Sequence, residues 1–252
     1  MRIVIDLQGA QGVNRHRGIG RYTLSLAESI VRTRGDHEIM LALNGQLADT
    51  IESIRARFHS LLPQENIRVW YAPGPTSSLD SGNNYCRKTA ELIRESFLAR
   101  LKPDVVINSS LFEGMDDDAV TSIGTISNTV PTAVILYDLI PFIYRQTYLY
   151  RPDIETWYEN KLDHLRRANL LLAISESSRM ESVRYLGFPE KDTFNISTAA
   201  DPQFQPKTVD SEQEADVRER YKLARSYIMY TGGIDHRKNI EGLIRAYANL
   251  PD

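Results

Sequence analysis

Residues 1–33 run MRIVIDLQGAQGVNRHRGIGRYTLSLAESIVRT and divide into three parts. Ile3-Val4-Ile5 opens a short β-branched run over 3–7. Residues 9–20 are rich in glycine and cations, and 21–33 carry Leu24, Ala27, Ile30 and Val31 at helical spacing. A strand, a glycine loop and an amphipathic helix make one βα unit. Runs of the same kind recur at 39–43, 67–71, 105–108, 133–137, 170–174, 194–197 and 227–231. Several are apolar throughout, as expected of strands covered on both faces by helices. Helical patterns separate them at 85–101, 153–167 and 176–186, the last behind Ser175, an N-cap residue type followed by the acid Glu176. The fold class is α/β, a Rossmann-like, doubly wound parallel sheet.

Residues 199–206 hold Pro202 and Pro206 and little periodicity, and 209–219 are acidic and polar. A domain boundary is expected there, with a first domain over 1–205 and a second beginning at 206–252. The second contains an acidic helix, the run at 227–231, a Gly232-Gly233 turn and a helix from about 239 to 250. One βα unit cannot bury both of its faces, so this domain is expected to be incomplete here, its remainder lying elsewhere in the same chain. The loop 72–84, rich in Pro, Gly and Ser, is expected to be a mobile excursion.

The formal net charge of −3 has both signs interspersed and offers no basic field for nucleic acid. Cys86 is the only cysteine, which excludes an internal disulfide and suits a reducing, cytoplasmic setting. The N-terminal apolar run is too brief for a signal sequence. No stretch reaches the roughly eighteen apolar residues of a spanning helix, so any membrane contact is expected to be peripheral.

Four groups of residues could carry chemistry. The loop from Gly9 through Gly12, Gly18 and Gly20 into Arg21 and Tyr22 suits close backbone approach to a phosphate, or is a plain tight turn. Its spacing is not G-x-G-x-x-G, and the second strand ends in Leu43-Asn44 without a ribose-binding acid, which argues against a nicotinamide cofactor. Asp138 stands at a carboxyl strand end, where α/β sheets form their ligand crevice; capping the turn before Pro141 is the alternative. Of the aromatic run Phe142, Tyr144, Tyr148, Tyr150, Trp157 and Tyr158, core packing is favoured over sugar stacking. In residues 230–240, Arg237 and Lys238 beside a helix start outline a diphosphate cradle, with two surface cations as the alternative.

Asp116-Asp117-Asp118 contains a D-x-D but is better explained as a solvated loop charge run. Five scattered histidines show no metal-ligand spacing, and there is no G-x-S-x-G elbow.

Gly18-Ile19-Gly20-Arg21-Tyr22-Thr23, Asp138-Leu139-Ile140-Pro141, Ala173 to Arg179, Asp201 with Phe204 and Pro206, and Gly232 to Ile240 together resemble glycosyltransferase family 4, in its mannosyltransferase-B-like branch. The resemblance implies a retaining GT-B enzyme that needs no metal or cofactor. Its N-terminal domain would hold a glycan or lipid-linked saccharide acceptor, and its C-terminal domain a nucleotide-sugar, GDP-mannose by the branch resembled. It also implies work on surface polysaccharide such as the O-antigen of lipopolysaccharide, at the inner face of the membrane.

Carried over by position, Tyr137 and Asp138 would be catalytic, lining the sugar subsite. Gly18, Gly20, Gly232, Gly233, Arg237 and Lys238 would bind the donor, while Arg21, Tyr22 and Ser175 would lie on the acceptor side. The chain departs from the family in having Tyr137 where His is usual and Gly233 where many members have Arg. The family's E-x7-E pair does not occur before Asp252, so these residues alone are expected to be inactive. Other classes compatible with the sequence are a non-catalytic glycan-binding or scaffolding module and, more weakly, a nucleotide-sugar epimerase.

Overall fold

The computed structural model describes residues 1–126, 129–201, 204–206, 208 and 210–250. They fall into two units, Met1–Asp201 and Pro202–Asp252, against the sequence boundary at 205/206. Pro202, Gln203 and Val209 of the boundary segment lie outside the described residues.

The first unit is built on seven strands: β1 (Arg2–Asp6), β2 (Glu38–Asn44), β3 (Ile67–Trp70), β4 (Val105–Asn108), β5 (Thr132–Leu136), β6 (Leu170–Ala173) and β7 (Thr193–Asn195). All are parallel, in the order β3-β2-β1-β4-β5-β6-β7. The chain winds outward from β1 to β3 and then, in the opposite direction, from β4 to β7. The reversal lies between β1 and β4, where Ile5 pairs with Ile107. This is the doubly wound order, and its ligand crevice opens at the carboxyl ends of those two strands.

Helices cover both faces: α1 (Gly18–Arg32), α2 (Ile51–Phe58), α3 (Asn84–Arg100), two single turns α4 (Ile140–Ile143) and α5 (Arg145–Tyr148), α6 (Pro152–Arg166) and α7 (Glu176–Leu186). The two-residue period of the strands sorts their side chains. Ile5 of β1 and Ile39, Leu41 and Leu43 of β2 pack with Ala27 and Val31 of α1 and Ile54 and Phe58 of α2. The intervening Val4, Met40 and Ala42 pack on the opposite face with Leu98 of α3. Further along, Tyr158, Leu162 and Leu165 of α6 close over Val134, Leu136 and Leu171. Each buried Val, Leu, Ile, Phe or Met among these contributes roughly 1.5–3 kcal/mol by leaving water. Helix α7 starts as its sequence indicates, Ser175 Oγ accepting from Ser178 N at 3.1 Å, and it stops at Gly187 in the left-handed conformation (φ 65°).

Buried polar groups fasten the carboxyl rim. Arg94 of α3 reaches through the core to Asp6 at the end of β1, its Nε donating to Oδ2 at 2.8 Å, and Nη1 donates to the Ser122 carbonyl at 2.8 Å. Asn44 is fully buried, with Nδ2 donating to Gln8 Oε1 and to the Asp118 carbonyl. Its amide N and carbonyl O are held by the Gln11 side chain.

The loop 72–84 departs from expectation. Thr76 is fully buried, and the backbone N–H groups of Thr76 and Ser77 donate to Asp118 Oδ1 at 2.6 and 3.2 Å. Ser78 and Leu79 donate to the carbonyls of Gly114 and Met115. Four successive backbone donors therefore tie this segment to the loop after β4.

The second unit holds α8 (Ser211–Arg220), a single turn at His236–Lys238 and α9 (Ile240–Ala248). Residues 227–231 do not form the expected strand. A strand exists only through pairing, and no other strand occurs among the described residues of this unit. Tyr227, Ile228 and Met229 are accordingly exposed, as are Ile244 and Tyr247 of α9.

Candidate functional site

At the crevice between β1 and β4, the chain leaves β1, forms the glycine loop and enters α1. Two glycines are there because nothing larger fits. A Cβ on Gly9 would stand 2.8 Å from Ser110 Cβ and 2.8 Å from Thr23 Oγ1, and one on Gly20 would stand 2.3 Å from the Arg15 carbonyl oxygen. Gly18, by contrast, has nothing within 4 Å of that position. Helix α1 begins behind Arg17 with no side-chain cap and no acid in its first turn. The positive end of a four-turn helix thus stands at the crevice mouth without a capping anion. Arg21 is exposed and has no ion-pair partner among the described residues.

Tyr22 and Tyr137 close the other side of this mouth. Their rings meet edge to face, with centroids 5.8 Å apart. Tyr22 donates to the Ser197 carbonyl at 3.0 Å, and burial pushes its hydroxyl pKa up. The Tyr137 hydroxyl shares a hydrogen bond with Thr23 Oγ1 (3.2 Å) and lies within donating distance of the Ser109 and Ile19 carbonyls (3.2 and 3.4 Å). Burial raises its pKa well above the ordinary tyrosine value, so the group is a neutral hydrogen-bonding hydroxyl, not a phenolate. Its backbone carbonyl accepts from Ser178 Oγ at 2.7 Å, which links the Ser175 cap of α7 to the same corner. Asp138 is exposed, and its Oδ1 accepts from Ile140 N at 3.0 Å, capping the turn ahead of Pro141. Gly18, Gly20, Arg21, Tyr22, Tyr137 and Ser175 are thus brought to one rim, with Asp138 beside Tyr137 in the chain.

Sequence reasoning missed Glu113. Only 2% exposed, it lies beneath the glycine loop, with Oε1 accepting from Ser110 Oγ (2.8 Å) and Oε2 from Asn14 Nδ2 (3.1 Å). Burial pushes its pKa to about 7. The Ser110 and Asn14 hydrogen bonds and Lys161 work against that rise, and Asp117 adds to it. An acid placed directly after Leu111-Phe112 was the available signal, since such a residue is either a surface interruption or a buried, partnered group.

The acidic triplet is not a solvated charge run either. Asp117 Oδ2 accepts from Val13 N at 2.7 Å and its Oδ1 from Ala119 N, while Asp118 holds Thr76 and Ser77; Asp116 alone is exposed. These carboxylates replace backbone partners that the irregular loops lack. Among the described residues no three His, Cys, Asp or Glu side chains cluster so as to hold a metal ion. Among them, too, no helix is long and apolar enough to cross a membrane.

The aromatic run is divided. Tyr158 is buried and stacks on Phe112 with centroids 4.7 Å apart, Trp157 and Phe142 pack against the core, and Tyr144 and Tyr150 are exposed.

In the second unit, Gly232 lies against Tyr230, whose hydroxyl donates to the Gly233 carbonyl at 2.8 Å. Arg237 is ion-paired with Asp235, Nε to Oδ1 at 2.8 Å, and its backbone N–H donates to the same oxygen at 2.9 Å. Lys238 is exposed, its N–H donating to the Asp235 carbonyl, and α9 starts behind Asn239 without a side-chain cap. Cations and an uncapped helix start therefore lie adjacent, one cation being partly neutralised by its own loop.

Over all 252 of its residues the chain is 32% identical to the serotype-specific mannosyltransferase WbdA of Escherichia coli, of which it covers 30%. It is 32% identical over 105 residues, 40% of its length, to the O-antigen chain mannosyltransferase B of the same organism, covering 27% of that protein. The chain thus spans under a third of the length of these curated relatives. Among solved structures, a glycosyltransferase from Rickettsia africae matches 89% of the chain and 50% of its own at 11% identity, with a TM-score of 0.45. No protein-family model matches. The sequence relatives connect the chain with glycosyltransferases.

Proposed function

We propose that this chain, similar over its whole length to a segment of WbdA, is the acceptor-side domain and the start of the donor-side domain of a retaining GT-B mannosyltransferase. The observation that carries the reading is the 32% identity across all 252 residues. The uncapped start of α1 at the β1/β4 crevice suits it chemically.

In the proposed reaction the bond between the mannose anomeric carbon and the nucleotide diphosphate breaks, giving an oxocarbenium-like transition state. An acceptor hydroxyl attacks from the side the diphosphate leaves, and its proton passes to a departing phosphate oxygen. GDP-mannose is the proposed donor, a growing glycan or lipid-linked saccharide the acceptor, and no metal is required. Lys238, with Arg237 once drawn from Asp235, would neutralise the leaving diphosphate, the largest electrostatic demand of such a step. Gly18 and the first turn of α1 would present backbone N–H groups to the donor phosphates. Arg21 and Tyr22 would line the acceptor, Ser175 would brace the Tyr137 corner through Ser178, and Asp138 would accept from sugar hydroxyls. We place the enzyme in the cytoplasm, peripheral to the membrane's inner face.

One observation favours a second reading, a non-catalytic glycan-binding module. The Tyr137 hydroxyl is directed at Thr23 and Ser109, and a tyrosine cannot supply the cationic form of the histidine usual there.

Nucleotide release by the full-length parent protein, with acceptor glycan and a panel of GDP- and UDP-sugars, tests the proposal. Release from GDP-mannose, falling by about 100-fold or more in the Arg237→Ala, Lys238→Ala double variant, supports it. Glycan binding with no release from any donor favours the binding module.

A further inference from the structure

We infer that Glu113 is a positioning residue that latches the glycine loop to the sheet and so sets the geometry of the crevice mouth. The inference rests on the glycosyltransferase reading only for its consequence in catalysis; the latch itself is a property of this chain.

The geometry forms a continuous series of contacts. Glu113 follows β4, the strand on one side of the crevice, whereas Asn14 and Gly12 belong to the loop after β1, on the other side. The Glu113 carboxyl bridges them, with Ser110 Oγ on one oxygen and Asn14 Nδ2 on the other. Gly12 rests against the same group. A Cβ there would stand 3.3 Å from Glu113 Oε2 and 2.6 Å from Asp117 Oδ2, and Asp117 also holds Val13 N. Two consecutive loop residues, Val13 and Asn14, are thereby bonded to the two carboxylates, with Gly12 packed against both. The loop then carries Arg15 against Gly20, with backbone so close that no Cβ fits between them. Gly20 lies in the first turn of α1, next to Ile19, whose carbonyl is within reach of the Tyr137 hydroxyl. A shift at Asn14 therefore moves Arg15, the first turn of α1 and the Tyr137 corner together, because close-packed backbone transmits displacement.

Burying a carboxyl is costly, and the hydrogen bonds from Ser110 and Asn14 offset part of that cost, so removing the carboxyl also removes the bond that spans the two loops. The charged and titratable groups facing Glu113 are Asp117 from its own loop, Lys161 from α6 and Tyr137 after β5. Lys161 is itself anchored to the Thr121 carbonyl and hydroxyl at 2.9 and 2.6 Å and makes no bond to Glu113. Among the described residues, the loop after β1 is the element across the crevice to which both carboxylates are bonded. The rise of the Glu113 pKa to about 7, caused first by burial, adds a signal by which the latch can be followed.

The test uses this chain with isotope-labelled backbone and glutamate side chains. In the wild type, the Val13 and Asn14 resonances are expected to follow the titration of the Glu113 carboxyl. In Glu113→Leu, which removes both acceptors, amide exchange protection over 12–20 is expected to fall about tenfold or more while β5 and β6 keep theirs. Glu113→Gln, whose amide accepts from Asn14 and donates to Ser110, is expected to restore protection and abolish the titration. Loop resonances that titrate identically in Glu113→Gln overturn the inference, as does a loss of protection spread evenly over the sheet in Glu113→Gln. If Glu113→Leu does not fold, the Glu113→Gln titration still decides.

In the full-length parent, Glu113→Leu is expected to raise KM about tenfold with kcat little changed, and Glu113→Gln to rescue it. A parent that transfers no sugar refutes the proposed function and leaves the resonance test standing. A parent whose KM is indifferent to both variants refutes the catalytic consequence of the latch.

Discussion

Gly18 and Gly20 stand two residues apart in the first turn of α1, yet the same change, glycine to alanine, is expected to have opposite effects at the two sites. At position 20 the new methyl would lie 2.3, 2.4 and 2.5 Å from the carbonyl oxygen, Cα and carbonyl carbon of Arg15. Those are backbone atoms, so no rotamer relieves the clash, and the loop must move about 1 Å to restore contact distance. Overpacking of that kind costs about 1–3 kcal/mol. At position 18 the methyl meets nothing within 4 Å, and losing a glycine's backbone freedom there stabilises by about 0.4–1 kcal/mol. For a unit of this size each kcal/mol moves the melting temperature by about 2–4 °C. Thermal unfolding of the two variants beside the wild type should place Gly20→Ala several degrees below it and Gly18→Ala slightly above. Equal or reversed shifts would refute the packing of Arg15 against Gly20, and with it the path from the loop to Tyr137.

Arg94→Met would strand the Asp6 carboxylate in the core and is expected to destabilise by about 3–5 kcal/mol in urea unfolding, most of it recovered when Asp6 is also made apolar. Two buried groups give stability a pH dependence of opposite sign. Glu113, raised from 4.5 to about 7, makes a contribution that is complete below pH 4.5 and lost as pH rises through 7. His164, lowered by burial from 6.5 to about 4, makes one that is complete above pH 6.5 and lost as pH falls through 4. The two partly cancel in the wild type, so the stability of Glu113→Gln relative to wild type should rise between about pH 4.5 and 7, by on the order of 3 kcal/mol. A flat difference across that interval would place Glu113 in contact with water.

The fold was legible because burial on two faces leaves a local mark. Ile39, Leu41 and Leu43 point one way and Met40 and Ala42 the other, so a run apolar throughout marks a segment that can serve as an inner strand. The seven strands of the first unit, the crossover helices at α1, α3, α6 and α7 and the Ser175 cap all follow from patterns within a dozen residues. The eighth run, 227–231, carries the same mark without forming a strand, because pairing needs a neighbour that local pattern cannot supply.

The site divides along the same line. That a glycine-rich, cationic loop enters α1 and that Tyr137 follows β5 are matters of sequence order. The tertiary structure alone decided that Gly20 is obligatory and Gly18 is not, that the Tyr137 hydroxyl is directed at Thr23 and Ser109, and that Asp117 and Asp118 anchor loops. It alone placed Glu113 beneath Asn14. Each of these depends on a contact between segments whose proximity is set by strand order, above all by β1 lying beside β4. Periodicity reports which face of an element is covered, and a hydrogen bond between residues 14 and 113 exists only once the sheet has brought their two loops to the same rim.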